Sequence, residues 1–81
     1  MFHLYILRSE KTGRLYIGQT NNLEDRLRRH NLGENKATKH GFPWSLIYRV
    51  TFSSRSEAVQ LESKLKSWKN SKRVLAWIDR Q

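Results

Sequence analysis

From Phe2 to Arg8 the chain is apolar on both parities: Phe2, Leu4 and Ile6 on one, Tyr5 and Leu7 on the other. A short run of β-formers without alternation predicts a strand covered on both faces. Glu10-Lys11-Thr12-Gly13 interrupts it as a turn, with Gly13 free to take positive φ. Arg14 to Gln19 then alternates, Leu15 and Ile17 against Tyr16 and Gly18. A hairpin of this length pairs odd positions of the first strand with even positions of the second. Tyr5 is thereby expected opposite Tyr16 or Gly18, with both phenols on one sheet face.

The period then changes to that of a helix. Asn21 is a suitable N-cap with Glu24 three residues on, and the segment from about Asn22 to Leu32 ends at Gly33. Leu23 and Leu27 mark its buried stripe, and Arg26 and His30 share a face. Glu34 to Pro43 is polar, basic and interrupted by glycine and proline, which predicts a functional-length loop. Trp44 to Phe52 alternates as a third strand, Trp44, Leu46, Tyr48, Val50 and Phe52 against Ser45, Ile47, Arg49 and Thr51. Ser54 and Glu57 form a second capping-box pair, opening a helix from about Arg55 to Lys69 with Ala58, Leu61, Leu65 and Trp68 inward. Asn70-Ser71 breaks it, and Val74, Trp77 and Ile78 suggest a short last helix. The order ββαβαα predicts a single α+β domain over residues 1–81: a three-stranded antiparallel sheet with packed helices.

Composition narrows the chemistry. Sixteen Lys and Arg against seven Asp and Glu give a formal charge of +9, which favours a polyanionic partner, most simply nucleic acid. With no cysteine, disulfides and thiolate metal sites are excluded. The chain has neither a long apolar run nor a signal-peptide pattern, so a cytoplasmic protein without membrane contact is expected, a monomer by preference.

Several polar side chains stand where chemistry is conceivable. Tyr5 and Tyr16 are candidate proton acceptors or phosphate donors, although a phenol with a pKa of about 10 is a poor base unless a cation or metal lowers it. Arg26 is suited to a non-bridging phosphate oxygen. His30 is suited to phosphate contact or proton transfer. Glu62, beside the apolar stripe of its helix, is a candidate Mg²⁺ ligand, since that ion often takes one or two carboxylates and keeps its waters. Each has an ordinary reading as well: strand tyrosines, a solvated arginine, a packed histidine, and a helix pair of Glu62 with Lys66.

Taken in order, Tyr5, then Tyr16-Ile17-Gly18, then Thr20-x-Asn22-Leu23-x-x-Arg26-Leu27, then a glutamate in a later helix, the chain resembles the GIY-YIG nucleases. The resemblance covers essentially the whole chain and is strongest to small standalone bacterial members, through Arg26-Leu27-x-x-His30-Asn31, the Pro43-Trp44 strand and Ser54-Arg55-Ser56-Glu57-Ala58. It implies an endonuclease that hydrolyses a DNA phosphodiester with a water nucleophile and Mg²⁺ or Mn²⁺. Tyr5, Tyr16, Arg26 and His30 would be catalytic, as would Glu62, which would also hold the metal. The five are expected to line one shallow basic groove. The first half-motif reads His3-Leu4-Tyr5 in place of Gly-Ile-Tyr, and Gln19 stands where repair-type relatives carry lysine. Which tyrosine activates water is left open. A nucleic-acid-binding module with weak or no catalysis is the alternative, and a basic ribosome-associated protein is a third.

Overall fold

A computed structural model describes all 81 residues. The elements are β1 (Phe2–Ser9), β2 (Leu15–Thr20), α1 (Leu23–Asn31), β3 (Trp44–Phe52), α2 (Arg55–Ser67) and α3 (Ser71–Asp79). The order is the expected ββαβαα. The sheet is antiparallel with β1 in the middle, β2-β1-β3. The central position explains the unalternated sequence of β1, because Leu4, Tyr5, Ile6 and Leu7 are all fully buried. Leu4 and Ile6 join Ile17, Leu65 and Val74 in an aliphatic core that α2 and α3 cover. Tyr5 and Leu7 face the other way, into a smaller cluster with Leu23 and Trp44.

The helix termini follow local capping rules, with one shift. Asn22, not Asn21, caps α1: its Oδ1 accepts the Asp25 N–H at 3.1 Å. Thr20 is the reason, since its hydroxyl accepts the Asn22 N–H at 3.1 Å and closes a turn that delays helix entry by one residue. Ser54 caps α2: its Oγ accepts the Glu57 N–H at 3.3 Å, and its hydroxyl donates to the Glu57 carboxylate at 3.0 Å, whereas a capping box would use the Ser54 backbone N–H for that second bond. α2 ends at Ser67, earlier than expected, because Lys69 turns the chain with φ of +49°. Asn70, expected only as a breaker, caps α3 by accepting the Arg73 N–H.

The third strand departs from simple alternation. Ile6 pairs with Tyr48 but Leu7 pairs with Leu46, so Ile47 is an extra residue in the ladder. Such a bulge places two successive side chains on one side. Ile47 and Tyr48 therefore both pack on the aliphatic core. Before the bulge the parity is reversed: Trp44 enters the Tyr5 cluster, and Leu46, which alternation grouped with Tyr48 and Val50, is 38% exposed.

Candidate active site

The hairpin parity places the two phenols together. Tyr5 pairs with Gly18 and Leu7 with Tyr16, so both tyrosines rise from the same face, with ring centroids 6.2 Å apart. Gly18 is what makes room for them. A Cβ at that position would fall 2.7 Å from the Tyr5 hydroxyl oxygen and 3.1 Å from Cε1 of Tyr16. The glycine of Tyr16-Ile17-Gly18 thus has a steric cause: the Tyr5 ring lies across it.

Beneath this pair runs a hydrogen-bonded chain. The Tyr5 hydroxyl and His30 Nε2 are 2.9 Å apart, and His30 Nδ1 is 2.7 Å from Thr38 Oγ1. The Thr38 hydroxyl donates to the Asn35 carbonyl at 3.4 Å, which leaves its oxygen to accept from Nδ1–H. Nε2 is then the acceptor for the Tyr5 O–H, an assignment that follows from the network. Tyr5, His30 and Thr38 are each essentially inaccessible to solvent, and no buried side-chain polar atom in the protein lacks a partner.

Burial decides the protonation of this chain. It pushes the Tyr5 phenol well above its ordinary value. The nearby Tyr16 adds to the rise and the Glu62 carboxylate adds a smaller part, while the Arg26 guanidinium pulls the other way. Burial likewise lowers the His30 imidazole below 6.5, with Arg26 adding to it. A neutral phenol donating to a neutral imidazole is the consistent state near pH 7. The charges of Arg26 and Glu62 thus both bear on the Tyr5 phenol, in opposite directions.

The expectation of a single open groove needs correcting. Tyr5 and His30 lie under the surface, packed as a core pair. Tyr16 and Arg26 are partly exposed, and the Glu62 side chain is 19% exposed. Tyr16 is thus the phenol that meets solvent, its ring 4.8 Å from that of His30. Arg26 takes no part in the ion pairs, which are Arg28–Asp25, Arg29–Asp25 and Lys66–Glu62. It borders a small cleft with Arg29, Glu34 and Asn35. Glu62 does form the helix pair with Lys66, Oε2 to Nζ at 2.9 Å.

Thr38 was not legible as a supporting residue beforehand, and Asn31 was legible only as part of a motif, without a role. Thr38 sits in the loop between α1 and β3 and carried no signal in the sequence. The loop is seated by the Trp44 indole N–H donating to the Thr38 carbonyl at 2.9 Å and by Ser9 Oγ donating to the Gly41 carbonyl. A Cβ on Gly41 would meet Trp44 Cζ2 at 2.6 Å, so that contact requires glycine. Asn31 grips the start of β3, accepting from the Trp44 N–H at 2.6 Å and donating to its carbonyl at 3.3 Å. In the pair His30-Asn31, therefore, one side chain holds the phenol and the next holds the third strand.

No three His, Asp or Glu side chains converge on a common point. Glu62 is a lone carboxylate within reach of the phenol's field, which fits a hard cation that keeps most of its water and takes further oxygens from phosphate. It does not fit a cage made of protein ligands alone. No helix is long and apolar enough to cross a membrane.

The chain thus carries paired tyrosines on a hairpin, an arginine on the following helix and a glutamate on a later one, and sequence comparison supplies the class of domain. The GIY-YIG catalytic domain model matches residues 1–74, and the chain belongs to that family, one of nucleases, whose substrates are nucleic acids. Within the family it is similar to the UPF0213 proteins. It is 41% identical to one from Bacillus licheniformis over 76 residues, covering 90% of this chain and 78% of the relative. It is 37% identical to another from Staphylococcus haemolyticus over 73 residues, covering 89% and 88%. The solution NMR structure of the UPF0213 protein of Bacillus halodurans superposes with a TM-score of 0.58 at 26% identity, over 95% of this chain and 85% of that one.

Proposed function

We propose that the protein is a metal-dependent endonuclease that hydrolyses DNA phosphodiesters with water, with little sequence specificity. The observation that carries this reading is the packing of Tyr16 against the buried Tyr5–His30 pair within a GIY-YIG domain, with the charges of Arg26 and Glu62 both bearing on Tyr5. Arg26, free of any ion pair, is available to a non-bridging phosphate oxygen and to the charge that develops there. Tyr16, the accessible phenol, is placed to orient the attacking water and handle its proton. Tyr5 stays protonated and positions Tyr16 and Arg26 from below, in a chain that His30 and Thr38 hold in one tautomer. Glu62 would hold Mg²⁺ or Mn²⁺, exchanging its Lys66 partner for the ion; the metal supplies Lewis-acid stabilisation of phosphate charge. The net charge of +9 supports attraction to the DNA backbone, and contacts of that kind position without reading sequence.

The test is cleavage of plasmid, single-stranded, branched and RNA substrates by purified protein, with and without Mg²⁺ or Mn²⁺, beside an identically prepared Glu62→Ala protein. Metal-dependent cutting of DNA that Glu62→Ala abolishes, with binding kept or slightly tightened, supports the reading. Binding without cutting of any substrate, alike in both proteins, would leave a nucleic-acid-binding module in its place.

A further inference from the structure

On the side of the protein away from Glu62, α2 and α3 enclose a recess of about 400 Å³ lined by Lys64, Trp68, Arg73, Ala76, Trp77 and Arg80. Each residue of a helix advances about 100°, so Lys64 and Trp68 point about 200° from Glu62 and Lys66 respectively. The lining contains three cations, two indoles and no acid. None of the three cations takes part in an ion pair. The Arg73 guanidinium carbon stands 4.3 Å from the Trp68 ring centre, and Lys64 Nζ stands 5.9 Å from it. Trp77 is steadied from behind by an edge contact with Tyr48, with centroids 5.2 Å apart. Both indoles are half-buried and all three cations exposed.

An arginine stacked on an indole is a pre-positioned cation whose N–H edges remain free. Those edges suit phosphate oxygens, which they meet in pairs. The indole edges suit the flat face of a base. A duplex keeps its bases paired and stacked inside, so it has none to offer this recess. Cations that track a backbone beside aromatic rings match the way single strands are held.

We propose that the α2–α3 recess is a second nucleic-acid site, which takes an unpaired strand at a distance from the phosphate being cut. The proposal rests on the nucleic-acid reading of the domain but not on cleavage. A single strand held here is an anchor: Arg73, Lys64 and Arg80 engage its phosphates, and Trp68 and Trp77 take base contacts. The substrate class that engages both sites at once is one with an unpaired segment next to a duplex, such as a flap, a fork or a frayed end.

The test is binding of a labelled oligothymidylate by the wild-type protein in EDTA, followed by label anisotropy and by tryptophan fluorescence. The variants are K64Q/R73Q/R80Q and, as a charge-matched control from other exposed surface, R14Q/K36Q/K39Q. Circular dichroism and thermal unfolding confirm that both are folded. The recess variant is expected to lose about tenfold in affinity and to flatten log K against log[salt] by about 2, at ~0.7 for each lost phosphate contact on a single strand. R73K, which keeps the charge without the planar stack, should fall between it and wild type. Tryptophan quenching by the oligomer should be present in wild type and control and absent in the recess variant. Equal losses in the recess and control variants would overturn the proposal, because they describe diffuse charge. Polyglutamate that binds as tightly and quenches as much would overturn it too, because the site would then be a generic polyanion patch. Because EDTA removes cleavage from the measurement, a protein that cuts nothing but shows the recess-specific loss refutes the nuclease reading alone. A protein that cuts DNA but shows no recess-specific loss refutes the recess alone.

Discussion

The two faces of one three-stranded sheet are built on different principles. The face under α2 and α3 is hydrocarbon, with Leu4, Ile6, Ile17, Leu65 and Val74 closed around the rim by Tyr48, Phe52, Trp68 and Trp77. The face under α1 buries Tyr5, Leu7, Leu23 and Trp44, and beside them the polar side chains of His30, Thr38 and Ser9. On the first face any shape that fills the space serves. On the second, each buried polar atom must meet one particular partner, because an unmet donor or acceptor there costs about 1–3 kcal/mol. A small domain with a thin core keeps its aliphatic packing on one side of β1 and its buried polar chain on the other, while Glu62 belongs to α2, the helix over the aliphatic side. Strand β1 supplies both, since its alternate residues go to opposite faces.

That division predicts separable mutant classes. The largest effect should come from Leu65→Ala, which opens a void in the aliphatic core and should cost about 2–5 kcal/mol of unfolding free energy. Urea titration measures it, and activity per folded molecule should stay near wild type. If cleavage per folded molecule fell in step with stability, the faces would not be independent. Arg26→Ala is the converse. It should lower the cleavage rate by about 10²–10³, or roughly 3–4 kcal/mol, the scale of losing one preorganised charge stabiliser. Its urea midpoint should barely move, because Arg26 is only half-buried and holds no ion pair.

Removing half of the buried polar pair should fall next. His30→Leu leaves the Tyr5 hydroxyl without its acceptor and should cost about 1–3 kcal/mol. Adding Tyr5→Phe removes the stranded group as well, so the double variant should be less destabilised than the two single losses added together. Additive losses would show that the hydrogen bond contributes nothing beyond packing.

The smallest effect is one of pH. His30 is held neutral in the fold, its pKa below the ordinary 6.5. Below the ordinary value the unfolded chain therefore binds a proton that the native state refuses. Stability from this group is full above about pH 6.5 and falls as pH drops toward the folded pKa, with a limiting slope of about 1.4 kcal/mol per pH unit. Thermal unfolding between pH 7.5 and 5 should show the decline in wild type and a flatter curve in His30→Leu. An unchanged slope would place the titration elsewhere.

Much of the layout was legible from the residues alone, for reasons that act over short distances. Turn length fixes hairpin parity, and parity put Tyr5 and Tyr16 on one face. Side-chain oxygens near a helix start capture N–H groups two or three residues on, which marked Ser54 correctly and missed Asn22 by one position. The spacing of Ala58, Leu61, Leu65 and Trp68 found the inward stripe of α2. What escaped was governed by contacts between segments far apart in the chain. The bulge at Ile47 belongs to the pairing of β1 with β3, some forty positions away, and no alternation within β3 reveals it. Thr38 is an ordinary loop threonine until the Trp44 indole and the Gly41 carbonyl seat its loop over α1.

The sequence by itself determined the order of the elements, the strand parity and the types of side chain brought near one another, because periodicity and capping depend on near neighbours. Only the tertiary structure decided which of those side chains meet water. The candidate residues read as members of one open groove, yet Tyr5 and His30 are sealed beneath the surface while Tyr16, Arg26 and Glu62 reach it. That sorting sets their protonation and separates the group that positions from the groups placed to touch substrate. Burial is a property of what packs on top of a residue, and here the cover comes from α1 and from a loop that hydrogen bonds to Ser9 on β1 and to Trp44 on β3 hold in place.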